Sequence, residues 1–369
     1  MTIEPFRLHV GDTDLAELRE RLARTRLLPA SPGRPESGMP ADYLADLVAS
    51  WRDFDWRARE HWLNAHPQFL AEVDGVRLHF AHLRAPAADA PALLVMHGWP
   101  HTFALQLDFA RALPDFHVVV ASLPGFAYSE PLATTFDEAR VASLMHLLMT
   151  EVLGYESYLT YGEDVSANVS DLIAATYPEA VAGIVATHAH FPDPSEREGL
   201  TDPEESAFFA RLAAAGSDEG GYAHVQATRP DTLATALNDS PAGLLAWIAE
   251  KLVEWSDTPR SDPRAVERRI SRERILTEAT IYWATQTIAE SFRPYFDRRD
   301  AVIPPVRVPA AVLIQRHEHD YPESLARRFY LDLRSFDRLP EGGHFAAAEV
   351  PEALASHLRA FARGLNLLP

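Results

Sequence analysis

Cysteine is absent from all 369 residues, which excludes disulfides, thiolate nucleophiles and cysteine-based metal sites. Lysine is nearly absent too. Lys251 stands alone beside many arginines, which removes Schiff-base lysine chemistry from most of the chain. Positive charge is in deficit: 34 Lys and Arg against 53 Asp and Glu, a net −19. Affinity for nucleic acid comes from basic clusters, so nucleic-acid binding is excluded. No stretch reaches the ~20 apolar residues of a membrane span. The start, Met1-Thr2-Ile3-Glu4-Pro5, has no basic segment leading into an apolar run, so no signal peptide is expected. Together these absences predict a cytoplasmic enzyme. The chain also has no internal repeat and no low-complexity tail. What remains is ordinary globular material, 47% hydrophobic and 10% aromatic, long enough to bury a large core in one large domain or two.

The first third of the chain is mixed. Leu15, Leu18 and Leu22 share one helical face, with Asp14 and Glu17 spaced as a capping box. Pro29 to Gly38 is a proline- and glycine-rich loop, and Tyr43–Trp51 and Trp56–Leu63 predict two short helices. Alternating residues on either side of Asp74-Gly75 predict a hairpin, Phe69–Val73 with Val76–Leu83. The pattern then changes to short, wholly apolar runs, Ala92–Met96 and Val118–Ala121, which suit parallel strands buried on both faces. Helical stretches lie between them, at Phe103–Ala112 and Glu138–Leu153, and Val181–Thr187 is a further strand. This alternation predicts an α/β doubly wound sheet. It stops from about Pro192 to Arg299, where the chain is helical, and strands return at Pro309–Gln315 and Leu333–Leu339 before a last helix, Glu352–Leu365. A helical insertion between two parts of one sheet predicts a cap.

The informative stretch is Tyr161-Gly162-Glu163-Asp164-Val165-Ser166. Ser157–Thr160 before it predicts a strand, and Ala167–Tyr177 after it a helix ending at Pro178. A strand entering a helix through a sharp turn, with small residues two positions either side of a central one, is the setting of a nucleophile elbow. Gly162 and Ser166 are the small residues and Asp164 the central one; the plainer alternative makes Asp164 a helix N-cap. Ser166 is not flanked by the small residues that a serine nucleophile requires.

Three other strand ends carry candidate chemistry. His97-Gly98-Trp99-Pro100 follows Ala92–Met96, and its exposed backbone makes Trp99 and Val165 candidate N–H donors of an oxyanion hole. Gly342-Gly343-His344 follows Leu333–Leu339 and offers a histidine base on a flexible mount. His317-Glu318-His319-Asp320 follows the strand before it. Neighbours on a strand end do not all point at one ion, so a carboxylate orienting His344 is favoured over a metal site, with Glu318 preferred and Asp320 its competitor. The order Asp164, Glu318, His344 is nucleophile, acid, base, as in α/β-hydrolases. A carboxylate nucleophile suits displacement at sp3 carbon, giving an ester that water then cleaves. Epoxides and alkyl halides both fit. A halide favours an indole N–H directly after the nucleophile, and Val165 stands there instead.

With these residues in view the chain resembles the microsomal-type epoxide hydrolases and their bacterial and juvenile-hormone relatives. The resemblance runs over nearly the whole length. It rests on Phe6-Arg7 through Leu28, Asp55-Trp56-Arg57, Gly75 to His82, His97–Pro100, Pro124-Gly125-Phe126 and Gly342–Ala347. In the cap it rests on Tyr222–Gln226 with Arg229–Thr232, on Leu237–Leu244, and on Tyr282–Thr285. It implies an α/β-hydrolase fold divided into an N-terminal meander (1–74), core (75–191), helical cap (192–300) and second core segment (301–369). It implies Asp164, Glu318 and His344 as the triad, and Tyr222 and Tyr295 as donors to the epoxide oxygen. It implies an epoxide and water as partners, with no cofactor or metal, and leaves a homodimer open. The chain departs from the relatives in two places. They commonly have Gly-Gly-Asp-Trp-Gly where it has Gly162-Glu163-Asp164-Val165-Ser166, and a glycine at the position of His101. The rival expectations are a haloalkane dehalogenase and a catalytically silent small-molecule binder of the same fold.

Overall fold

The computed structural model describes residues 3–30, 37–192, 194–197, 202–297 and 302–369. Residues 31–36 of the loop expected over Pro29–Gly38 lie outside these, as do the last two residues of the helical stretch expected to end at Arg299.

Nine strands form one sheet: β1 (Ile3–Phe6), β2 (Gln68–Val73), β3 (Val76–Leu83), β4 (Ala92–Met96), β5 (His117–Ala121), β6 (Tyr158–Gly162), β7 (Val181–Ala186), β8 (Val306–Ile314) and β9 (Tyr330–Arg338). Their order is β1-β2-β3-β5-β4-β6-β7-β8-β9. The first three are antiparallel to their neighbours, and from β5 to β9 every pairing is parallel. The hairpin between β2 and β3 turns at Asp74 (φ 46°) and Gly75 (φ 79°), both left-handed, which matches the twist of the strands it joins. β4 and β5 are buried along their whole length, because helices cover both faces of the parallel part. Parallel strands bring their C-terminal ends to one edge. His97, Asp164, His188, Glu318 and His344 all lie on loops leaving that edge, where ligands of open α/β sheets bind.

The helical stretch between β7 and β8 includes the long helices Pro203–Glu219, Pro241–Trp255 and Arg272–Thr285. The N-terminal helices Ala41–Arg52 and Trp56–Asn64 reach it through buried polar bonds. Trp51 Nε1–H donates to Thr280 Oγ1 at 2.8 Å and Arg59 Nε–H to Thr277 Oγ1 at 2.8 Å. The same N-terminal segment supplies β1 and β2 to the sheet.

Several local expectations are corrected. The first helix runs Asp12–Ala23 with Gly11 at its N-cap and no side-chain cap. Asp14 lies within its first turn, so no capping box forms. The helix from Glu138 ends at Leu147 and widens into a π turn over Leu148–Val152. A short helix, Glu323–Phe329, precedes β9, which starts three residues before the expected Leu333. Among the described residues no helix is long and apolar enough to cross a membrane.

Candidate active site

From the end of β6 at Gly162 the chain turns into the helix Val165–Thr176 in two residues, Glu163 and Asp164, the second with φ 54° and ψ −122°. Asp164 occupies the N-cap position but makes no side-chain cap bond, which frees its carboxylate for the cavity. Left-handed backbone at a non-glycine residue is strained and persists where the surroundings over-determine it. Here the reasons are visible. A Cβ on Gly162 would lie 2.1 Å from the Ser166 carbonyl, and one on Gly98 would lie 2.4 Å from Asp164 Cβ. Ser166 staples the turn: its Oγ accepts the Glu163 N–H at 3.0 Å and donates to the Met96 carbonyl at 2.9 Å. Buried and engaged on both sides, Ser166 has no role as a nucleophile.

The Asp164 carboxylate has partners on both oxygens. Oδ1 accepts the Trp99 N–H at 2.8 Å, and the Val165 N–H also bonds this carboxylate. Oδ2 lies 3.4 Å from His344 Nε2. Burial raises the Asp164 pKa, but the His344 hydrogen bond and charge, with the two N–H groups, outweigh it and hold the group below the usual carboxylate range. The expected oxyanion donors, Trp99 and Val165, are therefore brought together on the Asp164 carboxylate.

His344 follows β9, with its N–H bonded to the Trp255 carbonyl at 2.9 Å. Its Nδ1 lies 3.3 Å from Glu318 Oε2. Burial alone would lower the His344 pKa; the hydrogen bonds and charges of Asp164 and Glu318 reverse this and raise it to about 10. Burial pushes Glu318 up, and the His344 hydrogen bond and charge bring it well below the carboxylate norm. Glu318, not Asp320, thus meets His344. Asp320 is exposed and pairs with Arg338.

Tyr222 and Tyr295 project from the helical stretch to the same cavity and hydrogen-bond to each other, with ring centroids 5.9 Å apart. Burial, then the nearby Asp164 charge, raises both pKa values, so both are phenols carrying O–H donors. Trp99 backs them: its indole stacks on Tyr222 at 5.4 Å and meets the edge of Tyr295 at 6.0 Å. The single lysine, Lys251, is buried behind Tyr222, paired with Glu250 and Glu254. The cavity has a volume of about 890 Å³, and Asp164, Val165, Glu318, His344, Tyr222 and Tyr295 all line it.

The two departures from the relatives' pattern meet each other. His101 Nε2 lies 3.2 Å from Glu163 Oε2, both side chains 1% exposed. The Glu163 carboxylate also accepts from Tyr161 Oη–H at 2.5 Å, Gln106 Nε2–H at 3.0 Å and the Ala347 N–H at 2.8 Å. One buried carboxylate thereby joins the elbow, the loop after β4 and the short helix Ala346–Glu349 that follows His344.

His188 was not anticipated from the sequence. It follows β7 and lies 3.1 Å from His344 Nδ1. Its signal was available, since it is a histidine directly after an apolar strand, on the same sheet edge as His344. One ligand atom each of His188, Glu318 and His344 lie within 4.8 Å of one another. An ion there would occupy the Nδ1 that Glu318 engages, so the arrangement fits a hydrogen-bonded base better than a metal centre. The metal reading of His317–Asp320 is not met by the geometry, because Glu318 turns to His344 and Asp320 to Arg338.

Comparison with known proteins places the chain in a family. The alpha/beta hydrolase fold family matches residues 91–347, and the family described as epoxide hydrolase N terminus matches residues 3–105. Pig epoxide hydrolase 1 is 30% identical over 98% of this chain and 88% of its own length. A rabbit epoxide hydrolase 1 is likewise 30% identical over 98% of this chain and 88% of its own. The crystal structure of juvenile hormone epoxide hydrolase from the silkworm Bombyx mori superposes with a TM-score of 0.89 at 26% identity, covering 99% of this chain and 95% of that one. On sequence and fold together, the chain belongs to the epoxide hydrolase family of the α/β-hydrolase superfamily.

Proposed function

We propose that the chain hydrolyses an epoxide to a vicinal diol in two steps, with Asp164 as nucleophile, His344 oriented by Glu318 as base, and Tyr222 and Tyr295 as donors to the ring oxygen. A carboxylate oxygen of Asp164 attacks an epoxide carbon, the C–O bond of the ring breaks, and the departing oxygen takes a proton from the phenol pair. The product of this step is an ester on Asp164. Its formation removes the Asp164 charge, one of the causes that raise His344. His344 Nε2 can then take a proton from water, whose oxygen adds to the ester carbonyl. The Trp99 and Val165 N–H groups receive the oxyanion; as the intermediate collapses, His344 gives its proton to the departing diol oxygen and the proton left on the Asp164 carboxyl returns to the phenolate formed in the first step.

The observation that carries this reading is the Asp164 carboxylate, bound by two backbone N–H groups, that of Trp99 on Oδ1, and facing His344 Nε2 at 3.4 Å through Oδ2. The two half-buried phenols beside it favour an oxygen leaving group over a halide. Residues 192–300 act in this scheme as a cap, since they supply both phenols.

Intact mass spectrometry tests it. Asp164→Ala is expected to make no diol, and His344→Gln to accumulate a protein–substrate adduct of the epoxide's mass. Diol formation by Asp164→Ala would refute the scheme.

A further inference from the structure

His344 carries one Nδ1–H in its base form, and two groups compete for it. Glu318 Oε2 lies 3.3 Å away and His188 Nε2 3.1 Å away, while His188 and Glu318 are themselves 3.8 Å apart. The His188 side chain is 7% exposed, and its ring meets that of His344 at 4.4 Å and 72°. Its other nitrogen, Nδ1, has no hydrogen-bond partner among the described residues.

Two tautomers are available to His188. With hydrogen on Nε2 it would donate to His344 Nδ1. That would drive the His344 hydrogen to Nε2, disarm the base, and leave the buried Glu318 carboxylate without its donor. With hydrogen on Nδ1 it accepts from His344 instead, leaving one neutral N–H unpartnered. An unpartnered neutral donor costs less than an unpartnered carboxylate charge, so Glu318 decides the tautomer. Burial, with the His344 charge next, lowers the His188 pKa to about 4, so the ring stays neutral and keeps its Nε2 lone pair. The charged and titratable groups facing it are His344, Glu318, Glu163 and Asp164.

We propose that His188 is a positioning residue for the second half of the reaction: its Nε2 shares the His344 Nδ1–H with Glu318 Oε2, and the two acceptors together hold the imidazole with its Nε2 lone pair toward the ester. The need for it arises from the chemistry. In the free enzyme Asp164 pins His344 from the Nε2 side at 3.4 Å. Esterification discharges Asp164 and weakens that anchor just when the base must work. The remaining contact to Glu318 is long for a charge-assisted bond. The shorter contact is the one to His188.

This inference rests on the two-step reading, and the test separates them. In rapid-quench single turnovers with styrene oxide, followed by intact mass, His188→Leu should form the ester within about twofold of the wild-type rate. It should hydrolyse the ester about tenfold or more slowly, with the pH dependence of that step displaced. His188→Gln, whose amide oxygen restores an acceptor, should recover most of the lost rate. Wild-type hydrolysis rate and pH dependence in His188→Leu would overturn the assignment. So would equal losses in both steps with no recovery in His188→Gln, which is what a merely structural role predicts. Absence of an adduct in His344→Gln alongside wild-type turnover would overturn the two-step reading itself, and this inference with it.

Discussion

His344 sits between two buried carboxylates, and its proton is part of what folding gains. Its pKa rises from the ordinary 6.5 to about 10 in the folded chain. Folding therefore gains stability from that proton at pH values below 6.5, and loses the gain progressively as pH climbs toward about 10. Glu318 works in the opposite direction: its depressed pKa stabilises above the ordinary 4.5, and that contribution is lost on acidification. The melting temperature of the wild type should accordingly fall between pH 7 and pH 10 more steeply than that of His344→Gln, since every other titrating group is common to both. Parallel curves in that window would show that His344 is not held charged by its neighbours. At this scale the sequence was readable where residue type and strand end coincide, which singled out Asp164, His344 and the string holding Glu318. His188 satisfied the same two criteria and was passed over, because no glycine mount drew attention to it. Tyr222 and Tyr295 carried no such signal. A tyrosine in a helix is ordinarily packing, and only resemblance to the family pointed to these two.

Between elements, the chain ties three strand-end segments together through one carboxylate. Glu163 pairs with His101 across the gap between the elbow and the loop after β4, and it accepts the Ala347 N–H from the short helix after His344. Removing His101 alone leaves a fully buried carboxylate short of one contact, a change that costs about 1–3 kcal/mol where no other partner compensates. Three other donors remain on Glu163, so the cost here should fall below that range. The pair is best measured as a double-mutant cycle on His101→Gly and Glu163→Gly, which together restore the glycines common in relatives. The double variant should be more stable than the sum of the single losses by about 1 kcal/mol or more in urea unfolding. Strict additivity would mean that the two side chains do not act on each other. The two departures were visible in the sequence separately. Their compensation was not, because 61 residues and a parallel strand crossing lie between positions 101 and 163. Element type was better marked than element ends. The doubly buried strands and the hairpin followed from their apolar patterns. The capping box failed because spacing alone does not say which residue precedes the first helical turn.

Over the whole molecule, the N-terminal segment ties the sheet to the helices above it. It gives two strands to the sheet and sends Trp51, Arg59 and Tyr43 into polar contacts with the helical stretch. That the stretch is helical could be read from its composition. Where it rests could not, since amphipathic helices state which face is covered but not by what. The join is testable at one atom. Thr280 is 1% exposed, and its Oγ1 accepts the only hydrogen bond described for the Trp51 indole N–H. Thr280→Val keeps the shape nearly unchanged and leaves that N–H buried without an acceptor, at a cost of about 1–3 kcal/mol. The midpoint of urea unfolding should fall with its slope unchanged, because the loss is one of stability and not of the surface exposed. Since Thr280 does not line the cavity, diol formation by the folded variant at low temperature should match the wild type. A midpoint equal to the wild type would mean that the indole finds another acceptor and that this bond does not hold the two layers together; a lower midpoint with full activity is what the geometry predicts.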